Sequence, residues 1–147
     1  MADLSYRTYN NSDFQRCLDI FDANCPEYFA PNEREDYERF LERTPLAYEV
    51  CELDARVVGA FGLFDDGVDE KSLNWILLDP QAHGVGLGKD IMERVILMAG
   101  ESNSLHVKIA ASHKSAPFFA KFGATVILTT TDGWGPGMHR LDMVLLL

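Results

Sequence analysis

The sequence predicts a single domain, residues 1–147, of mixed α/β class, in which helices are interleaved with strands. The first observation is size, because 147 residues suffice for one domain with one real core. The second is composition, since 47% hydrophobic and 24% charged residues are typical of a folded globular chain. The third is the periodicity of the apolar residues, which predicts the order β-α-α-β-β-β-α-β-α-β-β.

The N-terminal part of the chain predicts one strand followed by two helices. Residues 4–9 form the strand, and a helix begins at Ser12 with apolar side chains at helical spacing. Pro26 lies where this helical pattern stops. A second helix begins near Asn32 and continues through Leu41.

Three strands in succession then predict an antiparallel meander. They cover residues 47–53, 56–64 and 72–78. The sequence Asp-Asp-Gly that ends at Gly67 is a strong turn signal between the second and third of these strands.

The C-terminal part alternates helices with strands. A helix covers residues 88–99, and Gly100 lies where we expect it to end. A short helix has Pro117 in its first turn. The glycine-rich segment 132–137, which contains Trp134, predicts a loop. The predicted strands in this part are residues 105–111, 124–130 and 138–147.

The charge and the cysteines limit the classes of partner. A formal net charge of -10, from 13 basic and 23 acidic residues, would repel nucleic acid and acidic membrane surfaces and would attract an amine substrate. The alternative is that the charge only maintains solubility. Cys17, Cys25 and Cys51 form no C-x-x-C pair, which indicates reduced thiols in a cytoplasmic protein and no metal site. We find no apolar signal segment and no run near the ~18 residues of a membrane span.

The most informative segment is the glycine-rich loop that follows the third strand of the meander. Residues 78–89 have the sequence LDPQAHGVGLGK. Gly84, Gly86 and Gly88 stand at alternate positions, so successive backbone N–H groups can point into one space. The N-terminus of the next helix adds about half a positive charge. The loop therefore predicts a site for a phosphate or a pyrophosphate.

Two common phosphate-binding motifs do not match this loop. A Walker loop requires G-x-x-x-x-G-K-S/T, whereas the spacing here is one residue short and Asp90 follows Lys89. A Rossmann fingerprint requires G-x-G-x-x-G in a βαβ unit, whereas this loop follows a meander. On the glycines alone, a tight strand-to-helix turn without a ligand remains an alternative.

The loop resembles motif A of the GNAT superfamily of acetyl-CoA-dependent N-acetyltransferases, which is roughly V-x-P-x-x-R/Q-G-x-G-I/L-G/A. The matching residues are Leu78, Pro80, Gly84, Gly86, Leu87 and Gly88. One departure is His83, which stands where Arg or Gln is usual. A second block, HKSAPFFAKFGA at residues 113–124, resembles the family's N-x-x-A-x-x-F-Y-x-K-x-G-F.

The resemblance implies a GNAT-like fold, with a central, mixed, mostly antiparallel sheet flanked by helices. It also implies acetyl-CoA as the cosubstrate, without a metal, and a loop that wraps the CoA pyrophosphate. The implied cofactor-binding residues are Leu77, Leu78, His83, Gly84, Val85, Gly86, Leu87, Gly88, Lys89, His113, Ala116 and Phe119.

The activity that the resemblance implies is direct transfer of an acetyl group to a primary amine of a small molecule, an amino acid or a peptide. A homodimer is compatible with this. The catalytic groups are not evident, because Phe119 replaces the family's usual Tyr acid. Glu70, near the strand that leads into the loop, and His113, at the usual Asn, are weak candidates. Two alternatives stay open: a non-catalytic acyl-CoA-binding or regulatory module of the same fold, and an unrelated nucleotide-binding domain.

We expect the acceptor side to be formed by the first two helices and the last hairpin. Glu27 or Glu33 could face an amine there, although exposed acids at helix ends are the simpler interpretation. Trp134 could cover a substrate or pack back onto the core.

Overall fold

Seven strands form one central sheet in the computed structural model of the protein, which describes residues 3–82 and 84–147. The strands are β1 (Leu4–Thr8), β2 (Tyr48–Leu53), β3 (Arg56–Asp65), β4 (Glu70–Leu78), β5 (His106–Ser112), β6 (Thr125–Gly135) and β7 (Met138–Leu146). The helices are α1 (Phe14–Ala23), α2 (Glu33–Glu42), α3 (Leu87–Glu101) and α4 (Ala116–Ala120), and a 3-10 turn at Asn11–Asp13 precedes α1. The predicted α/β class and order of elements are confirmed.

The order of strands across the sheet is β1-β2-β3-β4-β5-β7-β6. Neighbouring strands are antiparallel except β4 and β5, which are parallel. The β4–β5 ladder ends at the pair Leu73 and Ile109, although the two strands continue to Leu78 and Ser112. The two strands therefore diverge, and a cleft opens at the centre of the sheet.

Helices cover both faces of the sheet, so the buried residues form two clusters. Adjacent strand residues belong to different clusters, as Val50 and Cys51 do in β2 and Ala60 and Phe61 do in β3. This follows from the alternation of side chains across a strand. The apolar faces of α1 and α2 pack in one cluster, and that of α3 packs in the other. None of the described helices is long and apolar enough to cross a lipid bilayer.

Two local predictions are wrong. The segment 132–137 is not a loop, because β6 extends through Gly135 and pairs there with Met138, which leaves a two-residue turn. The Trp134 indole N–H donates to the Ala111 carbonyl at 2.9 Å, so a tertiary contact overrides the local turn chemistry. In α3, the helix continues through Gly100 to Glu101.

Candidate active site

A cavity of about 1010 Å³ lies in the cleft where β4 and β5 diverge. β4 lines it from Leu73 to Leu78, and the opposite wall includes Ile109 and Ser112 of β5. The glycine loop, the start of α3, α4 and the connection between α1 and α2 complete the walls. Pockets of this size bind small molecules and cofactors.

A β-bulge in β4 faces this cavity. The β3–β4 pairing passes from Gly62 with Asn74 to Ala60 with Leu77, so two residues of β4, Trp75 and Ile76, lie opposite one residue of β3. Trp75 has a φ of 51°, in the left-handed region that side chains other than glycine rarely adopt. Both bulge residues line the cavity.

Two buried tyrosines hold the bulge in place. The Tyr48 hydroxyl donates to the Trp75 carbonyl at 2.7 Å and lies 2.8 Å from the Tyr37 hydroxyl. Both rings are fully buried, and the Tyr37 ring centroid is 4.9 Å from that of Trp75. This network satisfies a buried carbonyl that the irregular register turns away from the ladder.

The end of β4 is fixed by α1. The Asn24 amide donates to the Leu78 carbonyl at 2.9 Å and to a carbonyl of its own helix at 2.8 Å. Asp79 accepts hydrogen bonds from the Arg16 guanidinium at 2.6 Å and from the Gln81 N–H at 2.9 Å. Partial burial acts to raise the pKa of Asp79, but the Gln81 N–H and Arg16 together hold it below its usual value.

The three glycines of the loop have two different roles. Gly84 and Gly86 have φ of 80° and 70°, and a Cβ on either would meet nothing within 4 Å. Their backbone therefore needs glycine and borders open space. A Cβ on Gly88 would lie 2.8 Å from the Phe118 ring, so this glycine allows α3 to approach α4 closely. Gly86 directly precedes α3, so the helix N-terminus and its partial positive charge lie at the cavity wall.

Seven of the predicted cofactor contacts line the cavity: Leu77, Leu78, Gly84, Gly86, Leu87, Gly88 and Phe119. Val85 packs against the core, Ala116 is buried, and Lys89 is exposed on α3 with its ammonium 3.8 Å from Glu93. His83 lies outside the described residues.

The two weak catalytic candidates are not among the described residues that line the cavity. The His113 Nδ1 atom accepts a hydrogen bond from the backbone N–H of His139 at 3.2 Å, and the centroids of the two imidazole rings are 4.7 Å apart. Glu70 begins β4, roughly 25 Å along the strand from Leu78. Its carboxylate lies 3.4 Å from His106 and 3.5 Å from Lys108.

Among the described residues, two acids line the cavity: Asp79, which is paired with Arg16, and Glu33, at the start of α2. Glu33 is only 6% exposed, so the simpler interpretation of an exposed acid at a helix end is wrong for this residue, whereas Glu27 is exposed. Its Oε2 atom accepts a hydrogen bond from the Ala30 N–H at 2.7 Å. Burial raises the pKa of Glu33 to about 7; Asp36 also acts to raise it, and the Ala30 N–H acts to lower it.

A signal for this burial is present in the sequence. Glu33, Tyr37 and Leu41 are spaced four residues apart, so they lie on one face of α2, and all three are buried. The helix therefore carries a carboxylate at the end of its apolar face. The hydrophobic pattern from Tyr37 to Leu41 predicts the face, whereas the position of Glu33 in the first turn favours an exposed acid at the helix end.

The last hairpin closes the same end of the cavity. The Asn32 amide donates to the Trp134 carbonyl at 2.8 Å, which joins the start of α2 to the end of β6. The Arg140 guanidinium stacks on the Trp134 ring, 4.9 Å from its centroid, and both residues line the cavity. The start of α2, the β4 bulge and the hairpin thus meet at one end of the cavity. No group of three or more His, Cys, Asp or Glu in the described part of the chain is placed to hold a metal ion.

The sequence matches the model of the acetyltransferase (GNAT) family over residues 17–124, which is more than half of the chain. The protein therefore belongs to the GNAT acetyltransferase family, and the resemblance recognised in the glycine loop is confirmed. No curated protein matches the sequence significantly.

Solved structures share the fold over nearly the whole chain. Ard1 from Thermoplasma volcanium has a TM-score of 0.81 at 16% identity, covering 98% of this chain and 97% of its own. The protein yncA from Salmonella typhimurium, solved with its cofactor acetyl-CoA, has a TM-score of 0.72 at 16% identity, covering 99% and 94%. Ribosomal-protein-alanine N-acetyltransferase from Brucella melitensis has a TM-score of 0.72 at 20% identity, covering 97% and 99%.

Proposed function

We propose that the protein transfers an acetyl group from acetyl-CoA directly to a primary amine. The observation that carries this proposal is the glycine loop. Gly84 and Gly86 border open space at the N-terminus of α3, and the loop faces the cleft between β4 and β5. Family membership and the acetyl-CoA bound to the Salmonella protein support the same cosubstrate.

The residues of the cleft fit CoA from its phosphates to its thioester. Backbone N–H groups of the loop from Gly84 to Gly88, with the α3 dipole, would hold the pyrophosphate. Lys114 and Lys121, which border the same cavity around α4, add positive charge for phosphate groups. The pantetheine arm would lie along the edge of β4 that β5 leaves unpaired after Leu73. Polar backbone on this edge can then hydrogen-bond to the arm.

The bulge at Trp75 lies where the arm would end. We propose that a backbone N–H group of the bulge donates a hydrogen bond to the thioester carbonyl oxygen. Such a donor stabilises the negative charge that develops on this oxygen during attack by the amine. The buried Tyr48 hydroxyl holds the strained bulge, so the donor is positioned before the substrate binds.

One observation favours a second candidate function. Phe119 lines the cavity where the family usually has a Tyr acid, and it has no hydroxyl to protonate the departing thiolate. A non-catalytic acyl-CoA-binding module would bind acetyl-CoA without turnover. A thiolate can also take its proton from solvent, so the absence of this hydroxyl is compatible with catalysis.

Isothermal titration with acetyl-CoA, with ATP and NAD as controls, tests the cosubstrate. We expect micromolar binding of acetyl-CoA alone, and at least about a tenfold loss in Gly86→Glu, because the carboxylate would lie beside the pyrophosphate. Gly67→Glu is a matched control, since Gly67 also has a positive φ, of 100°, and open space around it, but lies outside the cavity lining.

Unchanged affinity in a folded Gly86→Glu protein would reject the phosphate site. Binding without turnover of any amine in a broad panel would favour the non-catalytic module over the transferase.

A further inference from the structure

Two carboxylates are buried among the described residues, those of Asp13 and Glu33, and they differ because Glu33 has no cationic partner there. Asp13, 4% exposed, accepts two hydrogen bonds from the Arg7 guanidinium, both at 2.8 Å. These bonds hold the pKa of Asp13 below its usual value, although burial acts to raise it. Glu33, 6% exposed, has no ion pair with any described residue. A buried carboxylate without a cation is costly unless a ligand supplies one.

Tyr37 links Glu33 to the β4 bulge, which we propose as the reaction centre. Glu33 lies one helical turn before Tyr37 on the same buried face of α2, which places the two Cβ atoms about 5–6 Å apart. The Tyr37 ring is in turn 4.9 Å from the Trp75 ring, which belongs to the bulge. Glu33 therefore lines the cavity from the side of α2, one helical turn before the tyrosine that packs against the bulge.

The surroundings of Glu33 are largely apolar. Aromatic residues from three different parts of the chain line this end of the cavity: Tyr28, Phe29, Trp75 and Trp134. Phe29 and Trp75 are stacked with centroids 6.2 Å apart. These rings form a wall that a flat apolar group can pack against.

The charged and titratable groups around Glu33 do not supply the missing cation. Asp36 on its own helix is negative, and Cys25 and Tyr28 belong to the α1–α2 connection. On the hairpin, Arg140 lies against Trp134 and forms an ion pair with Asp142 at 3.0 Å. Lys114 and Lys121 flank α4, on the side of the cleft that we assign to CoA.

We propose that Glu33 binds the ammonium group of the acceptor and takes its proton, and that the acceptor is a primary amine with an apolar body of aromatic size. The inference rests on the proposed function and specifies its substrate class and its base. The ammonium transfers one proton to the Glu33 carboxylate, and the nitrogen lone pair forms the C–N bond. The C–S electron pair goes to sulfur, which receives the second nitrogen proton through solvent. The Glu33 carboxyl then returns its proton to solvent.

The direction of the pH dependence follows from this role. Glu33 must be ionised to bind an ammonium and to accept a proton. Because burial raises its pKa to about 7, the ionised fraction increases as the pH rises through neutrality. We therefore expect kcat/KM to rise with a midpoint near this pKa.

Three probes separate the charge from the apolar body. They are 2-phenylethylamine, ethylamine, which lacks the ring, and 2-phenylethanol, which lacks the charge. At about pH 8 we expect the wild-type protein to bind 2-phenylethylamine at least about tenfold more tightly than either of the other two. In Glu33→Gln, which keeps an oxygen to accept from Ala30, the preference for the amine over the alcohol should disappear.

Acetylation of 2-phenylethylamine tests the catalytic role. Loss of a general base predicts a fall in kcat/KM of about 10²–10⁴-fold in Glu33→Gln, without the rise near pH 7. Glu35→Gln is the matched control, because Glu35 is on the same helix but is exposed and paired with Arg39 at 2.8 Å. Its pH profile should equal that of the wild type.

Equal affinity for amine and alcohol in the wild type, or an unchanged pH profile in Glu33→Gln, would overturn the inference. The three-probe comparison needs only the wild type, so it decides the question even if the variant does not fold. Acetyl-CoA titration of the same samples separates the two proposals. A wild type that does not bind acetyl-CoA refutes the transferase, whereas the amine titrations still report on Glu33.

Discussion

Replacing Glu33 by Gln should stabilise the protein at alkaline pH, where the wild type loses the contribution of its protonated carboxyl. Folding raises the pKa of this carboxyl from 4.5 to about 7, with burial as the largest cause. Protonated Glu33 therefore favours the folded state. This contribution is fully present below about pH 4.5 and is lost as the pH rises through about 7. Gln cannot ionise, so the variant keeps its stability over this range.

The magnitude follows from the two pKa values. Each unit of difference corresponds to about 1.36 kcal/mol. Between about pH 5 and about pH 8.5, ionisation of Glu33 should cost the wild type about 2 to 3 kcal/mol that Glu33→Gln does not lose. A site that serves to bind a cation is expected to reduce the stability of the free protein in this way.

Urea unfolding at both pH values, followed by tryptophan fluorescence, measures the difference. Glu35→Gln, an exposed acid on the same helix, should show the same small change at both pH values. If the free energies of unfolding of Glu33→Gln and of the wild type differ by the same amount at both pH values, Glu33 does not have a raised pKa. Burial would then not be what controls the charge of this carboxylate.

Two further substitutions test hydrogen bonds that hold β4 in place at the site. Tyr48→Phe leaves the Trp75 carbonyl and the Tyr37 hydroxyl without this partner, so we expect a loss of about 1–3 kcal/mol in urea unfolding and a lower kcat. An unchanged kcat would show that the bulge does not need this hydrogen bond. Asn24→Ala removes the amide that joins α1 to the Leu78 carbonyl, and should cost a similar amount while weakening acetyl-CoA binding in titration. Weaker binding with unchanged stability would place Asn24 in direct contact with the ligand instead.

Much of the fold was predictable because its signals are local. Periodicity identified every helix and strand in the correct order, and most errors were of a few residues at the ends. The glycine loop was predictable for a similar reason. Gly84 and Gly86 adopt positive φ, and their alternate spacing directly before a helix is visible in the sequence. Both the periodicity and the glycine spacing depend on residues that are close together in the sequence.

The candidate site was less predictable, because it depends on contacts between distant segments. The bulge at Trp75 has no sequence signal of its own, since it arises from the pairing of β4 with β3 and from a hydroxyl on β2. The prediction of a loop at residues 132–137 is wrong for a similar reason. Glycine and proline predicted a turn, whereas the contacts of Trp134 with Ala111 and Asn32 extend the strand.

The sequence by itself determined the class of fold, the family and the position of the glycine loop before α3, because these follow from periodicity and from a short contiguous motif. Only the tertiary structure decided which of two glutamates, Glu27 or Glu33, faces the cleft. Glu33 and Glu27 looked alike in the sequence, but α2 packs against the sheet so that Glu33 is buried at the cavity while Glu27 is exposed. Burial and the lack of a cation then determine the charge of that carboxylate, and both depend on residues far away in the chain.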